Sequence, residues 1–322
     1  WTKMFMGFPD GRKLRDKVRE GQMLGPDIWV GGEIMDGKPP ISPLHLSIDD
    51  AITARKEVVA QKKAGYDFIK IYDNLSIPVF DAIMDEAKKR GIPVTGHVPF
   101  AVGIDRALAS DMITLEHTSG FIDHHHIRYL VEEDKLRDYA QKTRLAKKPV
   151  CPTLVIWKNI PPENQFQKLK EQPEYARLSW RIKWLWKTTM DYVYKKPYTG
   201  NDLVGDMNAL AKKLVKVLNE EGVTLIAGTD MNFLGVYPGI SLHHELQHLT
   251  EAGLSNKEAL RSATINSAKV LGIDHEAGEV LPGKNANLLL LDANPLDDIR
   301  NTQKIASVFK RGKIYNPINL RQ

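Results

Sequence analysis

Cysteine is almost absent from this chain, since Cys151 is the only one among 322 residues. A single thiol excludes an internal disulfide framework and a zinc cluster held by cysteines. Long hydrophobic runs are missing as well. No stretch of 18 apolar residues occurs, so we predict no transmembrane helix. Apolar residues make up 42% and charged residues 26%, which is the balance of a globular protein with a sizeable core.

Other signatures are also missing. The 45 basic residues exceed the 40 acidic ones by only five, and they form no stripe, so nucleic-acid binding is not expected. Without a G-x-S-x-G elbow, a serine hydrolase lacks its signature, and without glycine-rich phosphate loops, nucleotide binding has no support. The expected partner is a small-molecule substrate, with no nucleic acid and no membrane. A homo-oligomer is compatible with the sequence.

Short β-rich runs alternate with helical patterns along the chain. Seven buried strands are predicted over Thr2–Met6, Asp27–Ile34, Phe68–Tyr72, Pro93–Val98, Ile113–His117, Pro149–Ile156 and Thr224–Asp230. Helix-period spacing predicts helices over Asp49–Lys63, Ile77–Arg90, Gly103–Ala109, Leu203–Glu221, Leu242–Glu251 and Asn256–Val270. Repeated strand–helix units indicate an α/β fold with a parallel sheet. A TIM-like (β/α)8 barrel is predicted, and its first strand is expected to be missing before Trp1.

The composition changes near residue 275. Residues 1–275 are predicted to form the barrel domain, and residues 276–322 the C-terminal part of a small β-sandwich. The tail has too few strands to stand alone: Asn287–Asp292, Ala306–Lys310 and Lys313–Tyr315. Because the N-terminus is expected to be missing, the compartment stays open. We favour the cytoplasm, with a secreted or periplasmic location as the alternative.

An aromatic insertion over residues 157–202 interrupts the strand–helix alternation. Trp180 and Trp184 are four residues apart and are predicted to share a helix face. Packing in the core or against the barrel is the preferred interpretation of the aromatic residues, Trp186 among them. A lid over the active site is the alternative.

Four polar residues interrupt strands that are otherwise apolar: Lys70, His97, His117 and Asp230. The carboxyl ends of barrel strands form the active-site face, so we expect these side chains to converge. Singly, each has a structural interpretation, such as a hydrogen-bonded core histidine or a helix-capping aspartate. Together, two imidazoles and a carboxylate suit Zn²⁺ or a similar divalent ion. Such an ion lowers the pKa of bound water to roughly 7, and Asp230 would accept the proton.

Three weaker candidates for substrate binding accompany this set. Tyr72 follows Lys70 by two residues and therefore points to the same side of the strand. Thr153 lies in a predicted strand, and His243 lies near the start of a predicted helix. For each of them, packing is the alternative interpretation.

Six segments carry these residues and their surroundings in a fixed order: AGYDFIKIYDNLS, GIPVTGHVP, ITLEHTSG, LIAGTD, SLHHELQHLTEAGLSNKEALRSATINSAKVLG and GEVLPGKNANLLLLDANPL. As a set they resemble the amidohydrolase superfamily, in particular its imidazolonepropionase-like and prolidase-like branch. The resemblance implies one or two divalent ions and a carbamylated Lys70 that bridges them. It also implies His97 and His117 as ligands of the second metal, and Asp230 as ligand and general base. The implied reaction is hydrolysis of an amide or other C–N bond, with dipeptides or cyclic amides as first choices.

One departure from the family pattern concerns the first barrel strand, which carries an H-x-H pair in the family. No such pair precedes Lys70, because His45 is a lone histidine in a proline-flanked loop. His124 and His126 have the spacing but follow the strand of His117. We expect truncation before Trp1 to explain this. A non-catalytic amidohydrolase-like fragment that binds a small molecule is the alternative.

A rival motif runs from His244 to His248 and matches the H-E-x-x-H of zinc peptidases. On a helix the two histidines would share a face, and Glu245 would activate water. No clear third ligand follows in the sequence. The peptidase is therefore the less favoured alternative, and the match is interpreted as a coincidence on an amphipathic helix.

Overall fold

A computed structural model describes residues 2–4, 11–122, 132–159, 166–195, 201–231 and 233–316. The chain divides into two compact units. The first comprises residues 1–123 and 142–149, and the second comprises residues 124–141 and 150–322. Among the described helices, none is both long enough and apolar enough to cross a lipid bilayer.

Parallel strands organise the first unit. The strands are β1 Thr2–Met4, β2 Ile28–Val30, β3 Met35–Asp36, β4 Leu46–Ser47, β5 Ile69–Ile71, β6 Val94–Gly96 and β7 Thr114–Glu116. Five of them lie side by side in the order β4-β3-β5-β6-β7, while β1 pairs with β2. This parallel arrangement confirms the predicted sheet and places the carboxyl ends of β5, β6 and β7 at one edge.

Helices follow the strands of the first unit: α1 Gly11–Arg19, α2 Ala51–Lys63, α3 Ile77–Arg90 and α4 Gly103–Ala109. Helix α2 begins where the Asp50 carboxylate accepts hydrogen bonds from two backbone N–H groups. Helix α3 ends at Gly91, whose φ of 59° is left-handed. The last three helices confirm the predictions. The strongly basic sequence of α1 shows too few apolar residues to predict a helix.

Helices dominate the second unit around the short strand β8, Val150–Cys151. The remaining helices of the chain are α5 Glu133–Leu145, α6 Leu154–Asn159, α7 Phe166–Lys170, α8 Pro173–Ala176, α9 Trp180–Lys195, α10 Asn201–Glu220, α11 Ile240–Glu251, α12 Asn256–Ala263 and α13 Ile265–Val270. The helix predicted over Asn256–Val270 is thus interrupted at Thr264, whose backbone leaves the helical region.

Two predicted strands of the second unit are shorter than expected. The strand predicted over Pro149–Ile156 is wrong beyond Cys151, because Thr153 has a left-handed φ of 51° and α6 begins at the next residue. The segment Thr224–Asp230 forms no regular strand. It keeps one parallel bridge, between Leu225 and Val150.

The C-terminal tail contains the predicted short strands. These are β9 Leu288–Leu291, β10 Ile305–Lys310 and β11 Lys313–Tyr315, which form an antiparallel sheet in the order β11-β10-β9. A 3-10 helix, Ile299–Gln303, lies between β9 and β10. The small sheet is therefore confirmed, while the boundary at residue 275 stays a prediction.

The aromatic insertion packs through one side of α9. Trp186 has no exposed surface and contacts Tyr237, with ring centroids 5.2 Å apart. Trp180 and Trp184 are 72% and 61% exposed, as expected for residues that share one face of a helix. The packing interpretation is confirmed for Trp186, and the lid stays a prediction.

Candidate functional site

Three of the predicted site residues lie on neighbouring strands of the first unit. Lys70 is the middle residue of β5 and is 2% exposed. His97 directly follows β6, and His117 directly follows β7. Because these strands are parallel neighbours, the sheet brings the three residues to one edge, where barrel enzymes place their active sites.

Register determines which polar groups share one side of this sheet. Lys70 lies opposite Thr95, and Thr95 lies opposite Thr114, whose hydroxyl it contacts. Both threonine hydroxyls donate hydrogen bonds to Glu116 Oε1, at 2.6 and 2.8 Å. Glu116 is 2% exposed. The sequence analysis missed this buried carboxyl, although its period-2 spacing from Thr114 places it on the same side.

His117 reaches this edge through an unusual backbone conformation. Strict alternation after Glu116 would send the side chain of His117 to the opposite side of the sheet. The φ of His117 is instead 62°, in the left-handed region, and it ends the alternation. The imidazole centroid of His117 lies 4.8 Å from that of His97. The structure therefore brings the two predicted histidine ligands together.

The ring of His97 is fixed on two sides. Its Nδ1 lies 2.8 Å from Asp73 Oδ1, and the ring lies against Tyr72 at a centroid distance of 3.9 Å. A carboxylate on Nδ1 selects the tautomer in which Nε2 is the metal-binding atom. Asp73 is thus a further site residue that the sequence analysis missed.

His45 belongs to the same row of rings. Its ring meets Tyr72 edge-on at 4.4 Å, and its Nδ1 lies 3.0 Å from Asp36 Oδ2. Burial acts to raise the pKa of Asp36, but hydrogen bonds from His45 and three backbone N–H groups outweigh it and hold that pKa below its usual value. The sequence alone shows His45 only as a lone histidine in a proline-flanked loop. Tyr72, the predicted substrate contact, lies between His45 and His97.

Asp230 and Thr153 lie in the second unit. Both have left-handed backbones, with φ values of 49° and 51°, a conformation that aspartate tolerates but that is strained for the β-branched Thr153. Their segments touch at Gly228, where an added Cβ would lie 2.3 Å from Cys151 Sγ and 3.6 Å from Thr153 Cγ2. Two of the predicted site residues thus lie on segments that pack together, each in a backbone state typical of functional positions.

His243 has a structural partner on the 3-10 helix of the tail. Its Nδ1 lies 3.0 Å from Thr302 Oγ1, and burial lowers the pKa of its imidazole. Its contact with substrate stays a prediction.

The H-E-x-x-H motif on α11 has a different environment from that of a zinc peptidase. Glu245 has no exposed surface, and its two carboxyl oxygens accept hydrogen bonds from the N–H groups of Leu154 and Val155, at 3.0 and 2.7 Å. His248 Nδ1 lies 3.2 Å from Glu251. A carboxyl group held in this way is not placed to activate water, which argues against the peptidase alternative. His124 and His126 lie outside the described residues.

Burial raises the pKa of Glu245 to about 8, from 4.5, and the N–H groups of Val155 and Leu154 act in the opposite direction. Between these two values the folded protein keeps a proton that the unfolded chain has released. The free energy of unfolding is therefore expected to fall as the pH rises from about 4.5 to about 8. Denaturation curves across this range should show a weaker fall in the Glu245→Gln variant, and an unchanged fall would contradict the assignment.

The chain matches one protein family over nearly its whole length. The model of the Amidohydrolase family matches residues 4–315. The chain belongs to the amidohydrolase family. Members of this family and the relatives that the chain matches are metal-dependent hydrolases that act on C–N bonds. The predicted resemblance to the amidohydrolase superfamily is thereby confirmed.

Solved amidohydrolase structures share the fold. Bottromycin amidohydrolase is 27% identical with a TM-score of 0.76, and the match covers 99% of this chain and 71% of that one. A Xaa-Pro dipeptidase with bound methionine is 20% identical with a TM-score of 0.69, covering 98% of this chain and 75% of that one. Such neighbours are TIM-like amidohydrolase barrels, which confirms the predicted fold class.

Curated relatives match over shorter segments. Imidazolonepropionase of Rubrobacter xylanophilus is 40% identical over 83 residues, which are 24% of this chain and 19% of the relative. Ochratoxinase of Aspergillus niger is 32% identical over 117 residues, or 34% of this chain and 23% of the relative. Guanine deaminase of Escherichia coli is 34% identical over 115 residues, or 35% of this chain and 25% of the relative. The chain spans about a fifth to a quarter of the length of these relatives.

The donor set of the first unit suits the divalent metal that amidohydrolases use. Within the described part of the chain, no group of three or more His, Cys, Asp or Glu side chains is arranged to hold a metal ion. The structure does bring together the imidazoles of His97 and His117. The Asp73 carboxylate on His97 is the partner that metal-ligating histidines ordinarily have. Two imidazoles oriented in this way fit zinc or a similar ion, while zinc itself and a carbamate on Lys70 stay predictions.

Replacing Asp73 by Asn should weaken metal binding. Asparagine keeps the shape of the side chain but removes the charge that fixes the tautomer of His97, and loss of such a partner typically lowers metal affinity about 10–100-fold. Competition with a chelator of known affinity measures the change. Asp111→Asn, which neutralises an exposed carboxylate paired with Lys88, serves as the control. Equal affinities in the two variants would count against the role of Asp73.

Proposed function

We propose that this chain carries the hydrolytic site of a metal-dependent amidohydrolase that cleaves a C–N bond of a small amide. Dipeptides, including those ending in proline, are the first substrate class, and cyclic amides are the second. The observation that carries the proposal is the pairing of His97 with His117 at the carboxyl ends of adjacent parallel strands, with Asp73 on Nδ1 of His97. The left-handed backbone of His117, which ends the alternation of its strand, further supports the proposal.

Each proposed residue has a separate task. Nε2 of His97 and the imidazole of His117 would hold a divalent metal, and Lys70 would contribute as its carbamate. When bound, such a metal lowers the pKa of a coordinated water to roughly 7 and polarises the substrate carbonyl. Asp230 would accept a proton from the attacking water and pass it to the leaving nitrogen. This transfer completes the cleavage, because an amide nitrogen leaves as an amine only after protonation.

The two substrate classes have different support. The fold is shared with a Xaa-Pro dipeptidase and with a putative prolidase from Bifidobacterium longum, whose TM-scores are 0.69 and 0.68. Imidazolonepropionases are similar in sequence, with identities of 40% over 83 residues and 31% over 126 residues. Dipeptides stay the first choice because the structural match to the dipeptidase covers 98% of this chain.

A substrate panel tests the proposal. Metal-loaded protein is incubated with Xaa-Pro and other dipeptides and, separately, with cyclic amides, and release of the cleaved amine or acid is measured. At least one dipeptide is expected to turn over at a kcat within the ordinary enzyme range of about 1–10³ s⁻¹. A protein that binds metal but cleaves neither class would contradict the proposal and favour a non-catalytic, small-molecule-binding amidohydrolase relative.

A further inference from the structure

We propose that Glu245 is a positioning residue for Asp230, because its buried carboxyl group fixes the turn at Thr153 against the segment that carries Asp230. The inference rests on the proposed function, since Asp230 is the proposed general base. It gives the H-E-x-x-H motif a role in the second unit that does not involve a metal ion.

The first link joins α11 to the turn that follows β8. Glu245 has no exposed surface, and its Oε1 and Oε2 accept hydrogen bonds from Leu154 N–H and Val155 N–H, respectively. These two N–H groups directly follow Thr153 in the chain. Two parallel bonds to one carboxyl group determine the orientation of the turn as well as its position.

This turn needs such support because its backbone is not relaxed. Thr153 is β-branched, and a φ of 51° is a genuine outlier for a residue of this type. Such conformations persist only where the surrounding structure over-determines them. Thr153 is 2% exposed, so solvent does not supply the compensation, whereas the two bonds from Glu245 do.

The second link joins the turn to Asp230. At Gly228 the two segments approach so closely that an added Cβ would lie 2.3 Å from Cys151 Sγ and 3.6 Å from Thr153 Cγ2. Gly228 precedes Asp230 by two residues. On the same segment, Ala227 N–H donates a hydrogen bond to Ser262 C=O at 3.1 Å. A shift of the Thr153 turn would therefore move the segment that ends at Asp230, whose backbone is also left-handed.

A carboxyl group in this position costs stability. Burial disfavours its charged form and raises the pKa of Glu245 to about 8. The two bonds offset this cost, because an apolar side chain here would leave the N–H groups of Leu154 and Val155 buried without these acceptors. The same two bonds control the geometry of the Thr153 turn.

The test compares Glu245→Gln with the matched control Glu251→Gln. Both changes replace a carboxyl group on α11 by an amide, but Glu251 is paired with Lys212 near the surface. Glutamine keeps the volume of Glu245 and one acceptor, but it turns an NH₂ group toward the second backbone N–H. In the metal-loaded protein we expect kcat of Glu245→Gln to fall by roughly 10–100-fold, the effect of a displacement of about 1 Å. KM, metal content and the control variant should stay unchanged.

Thr153→Gly supplies a second, independent readout. Glycine adopts the left-handed backbone without strain, so the turn no longer needs the support of Glu245. Glu245→Gln should therefore lower kcat by a smaller factor in the Thr153→Gly variant than in the wild-type protein. This coupling between the two substitutions is the signature of positioning. A Glu245→Gln variant with kcat equal to that of the control, or full additivity with Thr153→Gly, would overturn the proposal.

Crystal structures separate this inference from the proposed function, because they require no activity. In Glu245→Gln we expect Thr153 to leave the left-handed region and the Asp230 carboxyl to shift. If the wild-type protein cleaves no substrate, the proposed function fails and the structures alone decide the positioning role. Unmoved Thr153 and Asp230 would refute it. If Glu245→Gln does not fold, Glu245→Asp, which keeps the carboxyl group but shortens the side chain, provides the same comparison.

Discussion

Replacing Asp230 by Asn is expected to lower kcat by about 10²–10⁴-fold, the usual contribution of a general acid–base group. Asparagine fits the same space but cannot accept a proton from the attacking water. The left-handed backbone at position 230 also tolerates asparagine well, so the variant should fold normally. Steady-state kinetics on the best substrate of the panel, together with the metal content of each preparation, measure the effect.

Asp297→Asn provides the control for this experiment, since it neutralises an exposed carboxylate in the same unit. Its kcat should match that of the wild-type protein. Near-normal turnover in Asp230→Asn would refute the assignment of Asp230 as the base. A loss of kcat that comes entirely from lost metal would show that Asp230 acts as a ligand only.

Replacing Lys70 by Met is expected to lower turnover by on the order of 10³-fold or more, since a metal supplies several kcal/mol of transition-state stabilisation. Methionine fills the space of this 2% exposed side chain but has no nitrogen that carbon dioxide could convert to a carbamate. The same chemistry predicts that metal-free protein regains activity with Zn²⁺ in bicarbonate buffer and not in buffer depleted of carbon dioxide.

Two comparisons make this prediction specific to Lys70. Lys56→Met removes an exposed lysine of α2 and should leave activity and metal content unchanged. Lys70→Arg keeps a cation at the position yet cannot form the carbamate, so it should be as inactive as Lys70→Met. Reconstitution that is equally complete without bicarbonate would contradict a role for the carbamate, even if Lys70→Met is inactive.

Candidate site residues are visible in the sequence where a polar residue interrupts an apolar strand. Lys70, His97 and His117 were found in this way, and their strands are regular parallel neighbours. Asp36 ends, and His45 directly precedes, a strand of only two residues, which is too short for a period-2 pattern to be visible. Asp73 was missed because it follows its strand in a loop, where spacing carries no information about contacts.

Local backbone geometry and burial limited the remaining predictions. Hydrophobic periodicity describes regular elements only. It therefore predicts one strand that continues past Thr153, where the structure has a left-handed residue followed by α6. The H-E-x-x-H spacing suggests a peptidase role for Glu245, because a sequence motif shows the spacing of residues but not their burial. In the structure the carboxyl group of Glu245 instead accepts hydrogen bonds from backbone N–H groups. The cytoplasmic location and a homo-oligomeric state stay predictions.

The metal content per chain of the wild-type protein, compared with that of the His97→Ala/His117→Ala double variant, tests most directly whether these histidines hold a metal. At least one divalent ion is expected per wild-type chain, and a loss of about one equivalent in the double variant with its fold retained, because imidazoles are the primary ligands. A folded double variant that keeps the full wild-type metal content would contradict this role.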